Sequence, residues 1–389
     1  MAADGWRRVK LKNVCNRITV GHVGTMADKY VSEGVPFLRS QNITPFCLSL
    51  DDIKYIPVSF HERIRKSALL PGDVAIVRTG YPGTACVIPS GFRELNCADL
   101  VIITPSEELN PHYLTAIFNS AWGRASVGGS LVGVAQQHFN IGVARELDIQ
   151  LPPRKLQDKI ASILSAYDEL IENSQRRIKI LESMARGLYR EWFVHFRFPG
   201  HENHPRVPSS LGEIPKGWEA GRLDDVLVLQ RGFDLPKAAR LEGTVPIYAA
   251  TGITGFHNES KVRAPGVVTG RSGTIGDVIY VQEDFWPLNT ALWVKEFPKS
   301  EPLYAYYVLL SLDLKQFNSG AAVPTLNRND IHGLDALIPP RELQKTFQEV
   351  GGEMFRQTRT LEVQIQNLRR TRDLLLPRLL SGQVDLKEV

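Results

Sequence analysis

Two stretches of the chain carry long, uninterrupted amphipathic patterning. After Pro152-Pro153, one column of heptad-spaced positions reads Leu164, Ile171, Ile178, Ala185 and Trp192, the other reads Ile160, Tyr167, Ser174, Leu181 and Leu188, and no Pro or Gly intervenes before Gly187. Apolar residues at that spacing predict a coiled-coil seam, and the prolines suit a helix start, where a missing N–H costs nothing. After Pro339-Pro340 the same frame gives Phe347, Met354, Leu361, Leu368 and Leu375, beside a weaker column of Gly351, Thr358, Ile365, Arg372 and Leu379. A helix from Arg154 to Phe196 would run about 65 Å at about 1.5 Å per residue, more than a domain of about 150 residues covers. Each stripe alone fits an ordinary amphipathic helix lying on its own domain, but that length predicts a bridge between globular parts. Elsewhere the pattern shortens to β-branched runs bounded by Pro and Gly: Asp73 to Arg78, Leu100 to Thr104, Gly266 to Thr269 and Asp277 to Val281. Short helices are expected at Pro111 to Ser120 and Pro302 to Leu312, so each globular part reads as α+β.

The pattern occurs twice. Gly5-Trp6 with Leu11 and Val14 recurs as Gly217-Trp218 with Leu223 and Val226, 212 residues on. Pro71-Gly72 matches Pro265-Gly266, Thr79-Gly80-x-x-Gly83-Thr84 matches Thr269-Gly270-x-x-Gly273-Thr274, and Leu95-Asn96 matches Leu288-Asn289, at offsets that vary. The offset then locks at 187: Leu151-Pro152-Pro153 to Ile338-Pro339-Pro340, Gln157 to Gln344, Ile178 to Ile365, Leu181 to Leu368. A variable part followed by a strict part, twice, predicts a pseudo-two-fold molecule: two α+β domains separated by two long antiparallel coiled-coil helices, like a dimer fused into one chain. The expected boundaries are 1–152 for the first domain, 153–198 for the first helix, 199–340 for a linker (Pro199 to Pro215) and second domain, and 341–389 for the second helix and tail.

Composition changes the picture mainly by exclusion. The 389 residues, 43% hydrophobic and 23% charged, are those of a folded protein of two or more domains. A net charge of +4 permits a nucleic-acid partner without requiring one. Cys15, Cys47, Cys86 and Cys97 form no C-x-x-C pair, and neither a signal-like start nor a membrane-length apolar run is present, so reduced thiols in a cytoplasmic protein are expected. No G-x-x-x-x-G-K-[ST] loop and no Asn/Asp-Pro-Pro-aromatic tetrad occurs. Gly270 to Gly276 reads as a turn rather than a nucleotide cradle, and His195, His201 and His204 lack the Cys or acidic residues that would complete a metal site. A doubled architecture without catalytic signatures points to recognition, and two separated domains suit two half-sites on a duplex.

On these residues the chain resembles the specificity subunit (HsdS) of Type I restriction-modification enzymes. The resemblance rests on both Gly-Trp starts, Leu38-Arg39-Ser40-Gln41-Asn42-Ile43, the Pro-Gly-led strands, the Pro-Pro pair before each helix, Gly187-Leu188-Tyr189-Arg190-Glu191-Trp192-Phe193, and the ending Leu376-Pro377-Arg378-Leu379-Leu380-Ser381-Gly382. It implies two target-recognition domains reading a bipartite, asymmetric sequence of double-stranded DNA, with the helices as a ruler for the spacer. It also implies two modification (methyltransferase) subunits supplying adenine methylation with S-adenosylmethionine, and restriction subunits using ATP and Mg, with no cofactor, metal or catalytic residue on this chain. A coiled-coil structural or regulatory protein without DNA recognition would explain the helices but not two elaborated α+β domains. An enzyme with its own methyltransferase or nuclease would need the missing motifs.

Candidate DNA contacts are polar and basic residues in turns between expected strands. Arg78, Thr79 and Tyr81 in one half, and Arg271 and Ser272 in the other, flank the paired glycine turns, with Gly80, Gly83, Gly270 and Gly273 serving the turns themselves. Arg39, Ser40, Gln41 and Asn42 form a second polar loop, and Gln136, Gln137 and His138 match the stretch containing Thr325. Arg pairs with guanine or phosphate, and Gln with adenine; the alternative for each is a turn cap or surface salt bridge. The two sets of loops differ, so the half-sites should differ. Helix pairing is assigned to Ile160, Leu164, Tyr167, Ile171, Ile178, Leu181 and Leu188 with Phe347, Met354, Leu361, Ile365, Leu368 and Leu375.

Overall fold

The structure, a computed structural model, describes residues 5–129, 139–320, 322–384 and 386. It contains two compact units, Met1–Ser174 with Val363–Val389, and Gln175–Glu362. The division falls inside both long helices, so each unit combines one α+β domain with part of each helix.

In the first unit, β1 (Cys15–Val20), β3 (Val74–Val77), β4 (Ala85–Val87) and β6 (Leu100–Pro105) form an antiparallel sheet in the order β1-β6-β3-β4. A smaller sheet sets β2 (Val35–Leu38) parallel to β5 (Asn96–Cys97) and antiparallel to Lys54–Ile56. The main strands read as continuous apolar runs because both faces of the sheet are covered. Val74, Ile76, Val101 and Ile103 pack with α1 (Pro111–Asn119), while Ala75, Val77, Leu100 and Ile102 face a second cluster with Leu38 and Leu95. Helix α1 starts where Asn110 accepts the N–H groups of His112 and Tyr113, with Pro111 in its first turn.

The second unit repeats this plan. β7 (Val228–Arg231), β9 (Gly266–Gly270), β10 (Val278–Val281) and β12 (Ala291–Glu296) take the order β7-β12-β9-β10. β8 (Val245–Ala249) lies parallel to β11 (Trp286–Pro287), and α3 (Pro302–Ser311) takes the place of α1. Pro199 to Pro215, expected as a plain linker, folds in part into a hairpin of Arg206–Ser209 with Gly212–Pro215.

Each domain closes by pairing its first strand with the strand that feeds its helix: Arg7–Lys10 with Asp148–Leu151, and Glu219–Arg222 with Asp335–Ile338. A buried glutamine then locks each helix start. Gln157 donates Nε2 to the carbonyls of Pro152 and Glu108, both at 2.9 Å, and accepts the Asn110 N–H at 2.9 Å. Gln344 donates to Pro339 (2.8 Å) and Lys299 (3.1 Å) and accepts from Glu301 at 2.9 Å. The marker that carried the strict offset in the sequence is therefore a structural device.

The first long helix, α2, spans Arg154–Tyr189 and passes through a π turn at Arg190–Val194 instead of continuing as α-helix to Phe196. The second, α4, spans Arg341–Leu380. In the first unit the helix segments run antiparallel: Lys159 Nζ donates to the Leu386 carbonyl at 2.9 Å, and Asp168 pairs with Arg372 at 2.6 Å. In the second unit, Tyr189, Trp192 and Phe193 of the first helix surround Phe347 of the second, with ring centroids 5.0–6.2 Å apart. The column of α4 that looks weaker in sequence is the more buried one. Thr358, Ile365, Arg372 and Leu379 are each at most 8% exposed, whereas Met354, Leu368 and Leu375, expected in the seam, are half-buried. Gly351 belongs to the buried column because a Cβ there would lie 2.6 Å from Leu303 of α3, and Arg372 because Asp168 neutralises it.

Candidate nucleic-acid interface

Strand pairing sets the position of each candidate arginine. Val77 ends β3 opposite Leu100, and Gly270 ends β9 opposite Ala291, so Arg78 and Arg271 leave their sheets at the same point, 193 residues apart. The backbone carbonyl of Arg78 accepts the N–H of Phe139, and that of Arg271 the N–H of Leu326. Asn140 and Asn327 follow at once, each capping a short helix, Ile141–Glu146 and Arg328–His332. The 187-residue offset therefore begins at Phe139 and Leu326, ahead of the helices.

This ladder corrects two of the sequence matches. The glycine turns align as Gly80 with Gly273 and Gly83 with Gly276, all four at φ between 86° and 107°, so pairing Thr79–Thr84 with Thr269–Thr274 was displaced by three residues. Gly270 is not a turn glycine: it ends β9, where a Cβ would lie 1.8 Å from the Thr274 carbonyl oxygen. Ala98 and Leu288 make equivalent backbone bonds, to Leu38 and Tyr248, so the match of Leu95 to Leu288 was displaced as well.

The two arginines are held differently. Arg78 donates Nη1 to Asp99 Oδ1 at 2.8 Å and Nε to the Phe139 carbonyl at 3.1 Å, and its side chain is 17% exposed. Thr79 Oγ1 donates to the other oxygen of Asp99 at 3.0 Å. A guanidinium offers five N–H donors, so this lock orients the fork and leaves donors for a phosphate or a base edge. Arg271 instead donates Nη1 to the Asn289 carbonyl at 3.0 Å. Ser272 bridges Thr325, whose backbone N–H and hydroxyl bond Asn318 and Val323. Arg271, Ser272 and Thr325 thus meet in one turn of the second unit. Gln136, Gln137 and His138 lie outside the described residues.

The second polar loop is organised by Asp52. Its carboxylate takes Lys54 Nζ at 2.7 Å, Arg39 Nη2 at 2.9 Å and Gln41 Nε2 at 3.1 Å. These hydrogen bonds, Lys54's first, hold it well below the usual carboxylate range. Ser40 is half-buried. Asn42 is fully buried: its oxygen accepts the Arg39 N–H and its amide donates to the carbonyls of Ser49 and Asp51, so it builds the loop rather than facing a partner. Tyr81, by contrast, is 85% exposed. Sequence reasoning missed the acids that hold these arginines, Asp52 and Asp99, because ion-pair partners across a sheet leave no local mark.

Among the described residues, one cluster has metal-ligand types, His61, Glu62 and Glu94. Asn96 accepts Ser67 Oγ and the Cys97 N–H through its oxygen, so its amide faces His61 Nδ1 as donor. The imidazole proton then sits on Nε2, which leaves no free nitrogen lone pair for an ion. His201 and His204 bond the carbonyls of Phe198 and Lys216.

The doubled domain has a matching family. The Type I restriction modification DNA specificity domain matches residues 3–183 and 215–366, and the chain belongs to that family. It is a DNA specificity subunit of a Type I restriction-modification system, and the specificity domain occurs in it twice, consistent with a bipartite target. The Type I restriction enzyme MjaIX specificity subunit of Methanocaldococcus jannaschii is 28% identical over 415 residues, covering 99% of this chain and 94% of that one. The HindI specificity subunit of Haemophilus influenzae is 22% identical over 320 residues, covering 61% and 69%. The fold is shared with the crystal structure of the Type I system S subunit from M. genitalium, with a TM-score of 0.63 at 16% identity over 96% of each chain. No helix of the described residues is long and apolar enough to cross a membrane.

Proposed function

We propose that Arg78 and Arg271 are the principal DNA-contacting residues of the two domains, one at each half-site. The observation that supports this is their shared position: each leaves its sheet at the same ladder step and closes against the segment before an Asn-capped helix, in surroundings that differ between the units. Thr79, Tyr81, Arg39, Ser40 and Gln41 would extend the first contact surface, and Ser272 and Thr325 the second. Chemistry would reside on partners: two modification subunits using S-adenosylmethionine, and restriction subunits using ATP and Mg, all acting with this non-catalytic chain in the cytoplasm. The long helices would act as the ruler between half-sites.

Replacing residues 1–150 by the corresponding domain of a relative, and sequencing the methylated motif made with the modification subunit, tests the division of labour. One half of the motif changes and the other stays; a change in both halves overturns it. Adding seven residues after Ser174 and after Leu361 keeps both heptads in register and lengthens each helix by about 10 Å. At about 3.4 Å per base pair the preferred spacer grows by about three, and an active protein with an unchanged spacer overturns the ruler.

A further inference from the structure

The hairpin that follows the Arg39–Asn42 loop ends against the helices. Ile43–Thr44 pairs with Cys47–Leu48, and Phe46 sits at the turn with φ 68°, its N–H bonded to the Ala85 carbonyl of β4 at 3.0 Å. The guanidinium of Arg372, from the second helix, lies over the Phe46 ring with its carbon 4.5 Å from the centroid. Its edges are taken by carboxylates: Nη1 reaches Asp168 of the first helix at 2.6 Å, while Nε and Nη2 reach Asp373 at 3.1 and 3.0 Å. The Arg372 side chain is 10% exposed. One buried cation therefore joins the domain hairpin and both helices of this unit.

We propose that Arg372 is a positioning residue for target recognition: by pinning Phe46 it fixes the first domain on the helices and narrows the range of spacer lengths that the protein accepts. The contact is transmitted inward along the hairpin. Its base is held by Asn42, whose amide bonds Ser49 and Asp51 and whose carbonyl accepts the Ser49 N–H, so the loop bearing Arg39 and Gln41 is rigidly coupled to the pinned tip. The planar guanidinium is the suitable cation, because it stacks by its face while its edges pair with carboxylates. Burial pushes the Asp168 carboxyl up, and the hydrogen bond and charge of Arg372 oppose that shift. The second unit has a looser counterpart on the same helix, where Arg359 pairs with both oxygens of Glu283 at 2.9 and 3.0 Å, with side chains 39% and 38% exposed.

The inference rests on the helices acting as the ruler, and the test separates the two ideas. Phe46→Leu removes the ring face and leaves the ion pair between the helices intact. The assembled complex with its modification subunits is assayed for methyl transfer to duplexes with the native spacer, with one base pair more or fewer, and with one base changed in either half-site. The preference for the native spacer falls about two- to fivefold, the range that a cation–π contact of about 0.5–1 kcal/mol allows, while rejection of the base changes is retained. Phe46→Tyr, which keeps the ring, restores the preference. Arg372→Lys, which keeps the charge for Asp168 but not the planar stack, broadens the spacer in the same way and serves if Phe46→Leu does not assemble. An unchanged spacer preference in the assembled variants overturns the proposal, as does a loss of base rejection that Phe46→Tyr does not repair. The heptad-lengthened protein is measured on the same duplexes: if its preferred spacer stays fixed, the ruler fails, whereas a shifted spacer there with an unchanged preference in Phe46→Leu overturns the clamp alone.

Discussion

The two specificity domains use the same bonds to build their frames and different ones to finish them. Gln157 and Gln344 make matching sets of hydrogen bonds, and Tyr113 and Tyr304 donate to equivalent carbonyls, of Gln150 and Leu337, at 2.8 and 2.7 Å. At the strand ends, Arg78 is locked by a carboxylate and Arg271 by a carbonyl. At the domain starts the contrast is larger. Trp218 is buried among Phe193, Phe196 and Phe198, with centroids 5.1–6.0 Å away. Trp6 lines an open cavity of about 500 Å³ with Trp122, Leu376 and Leu380. The positions 187 beyond Phe193 and Phe196 are Leu380 and Gln383, too small or too polar to fill the space the aromatics fill. A duplicated frame tolerates such divergence because the closing bonds are made by backbone carbonyls and a few buried side chains, and the remainder is free to vary.

That contrast is broken most severely at the tryptophans. Trp218→Ala should cost about 3–5 kcal/mol in denaturant unfolding, because it empties a packed aromatic site, and Trp6→Ala clearly less, because its ring already borders open space. Equal losses would mean that the two sites are packed alike. Next are the shared locks: Gln157→Leu and Gln344→Leu each orphan buried groups and should each cost about 2–3 kcal/mol, with similar values in both halves. A large asymmetry would show that the frames are not equivalent.

The arginines sharpen the difference. Arg78→Ala and Arg271→Ala should each weaken DNA binding by about 1–3 kcal/mol and relax one position if they read a base, or lower the salt slope by about one if they hold phosphate. Titrations at two salt concentrations distinguish these, and unchanged affinity in both would assign the arginines to the frame. Asp99→Asn releases Arg78 and should alter only the first half-site.

The smallest effect is expected at the surface of the first domain. Hydrogen bonds from Lys10 and Lys12 lower the exposed Glu146 carboxyl to about 2. Its stabilisation is complete above the ordinary glutamate range and is lost as the pH falls toward that value. Glu146→Gln should therefore shift thermal unfolding slightly at neutral pH and not at all at the acid end. Screening by solvent keeps such an exposed pair weak.

Much of this architecture was legible along the chain. The heptads, the Pro-Pro helix starts, the order of motifs in two copies and the apolar runs of the central strands are all local patterns, and backbone geometry converts local periodicity directly into elements. The arginines at the ends of two strands were legible for the same reason. What the sequence did not reveal was every feature decided by partners distant along the chain. Strand pairing, not motif similarity, set the alignment of Gly80 with Gly273, because loop lengths between the strands had drifted. The choice of seam on the second helix went to Thr358, Ile365 and Arg372, because Asp168 and Phe46 arrive from other elements to satisfy a charge that looks unsuited to a core. Asn42, chosen as a reader for its polarity, became a loop support because three backbone groups converge on it. Periodicity is written in neighbouring residues, whereas burial and hydrogen-bond satisfaction are settled only when the fold brings remote groups within reach.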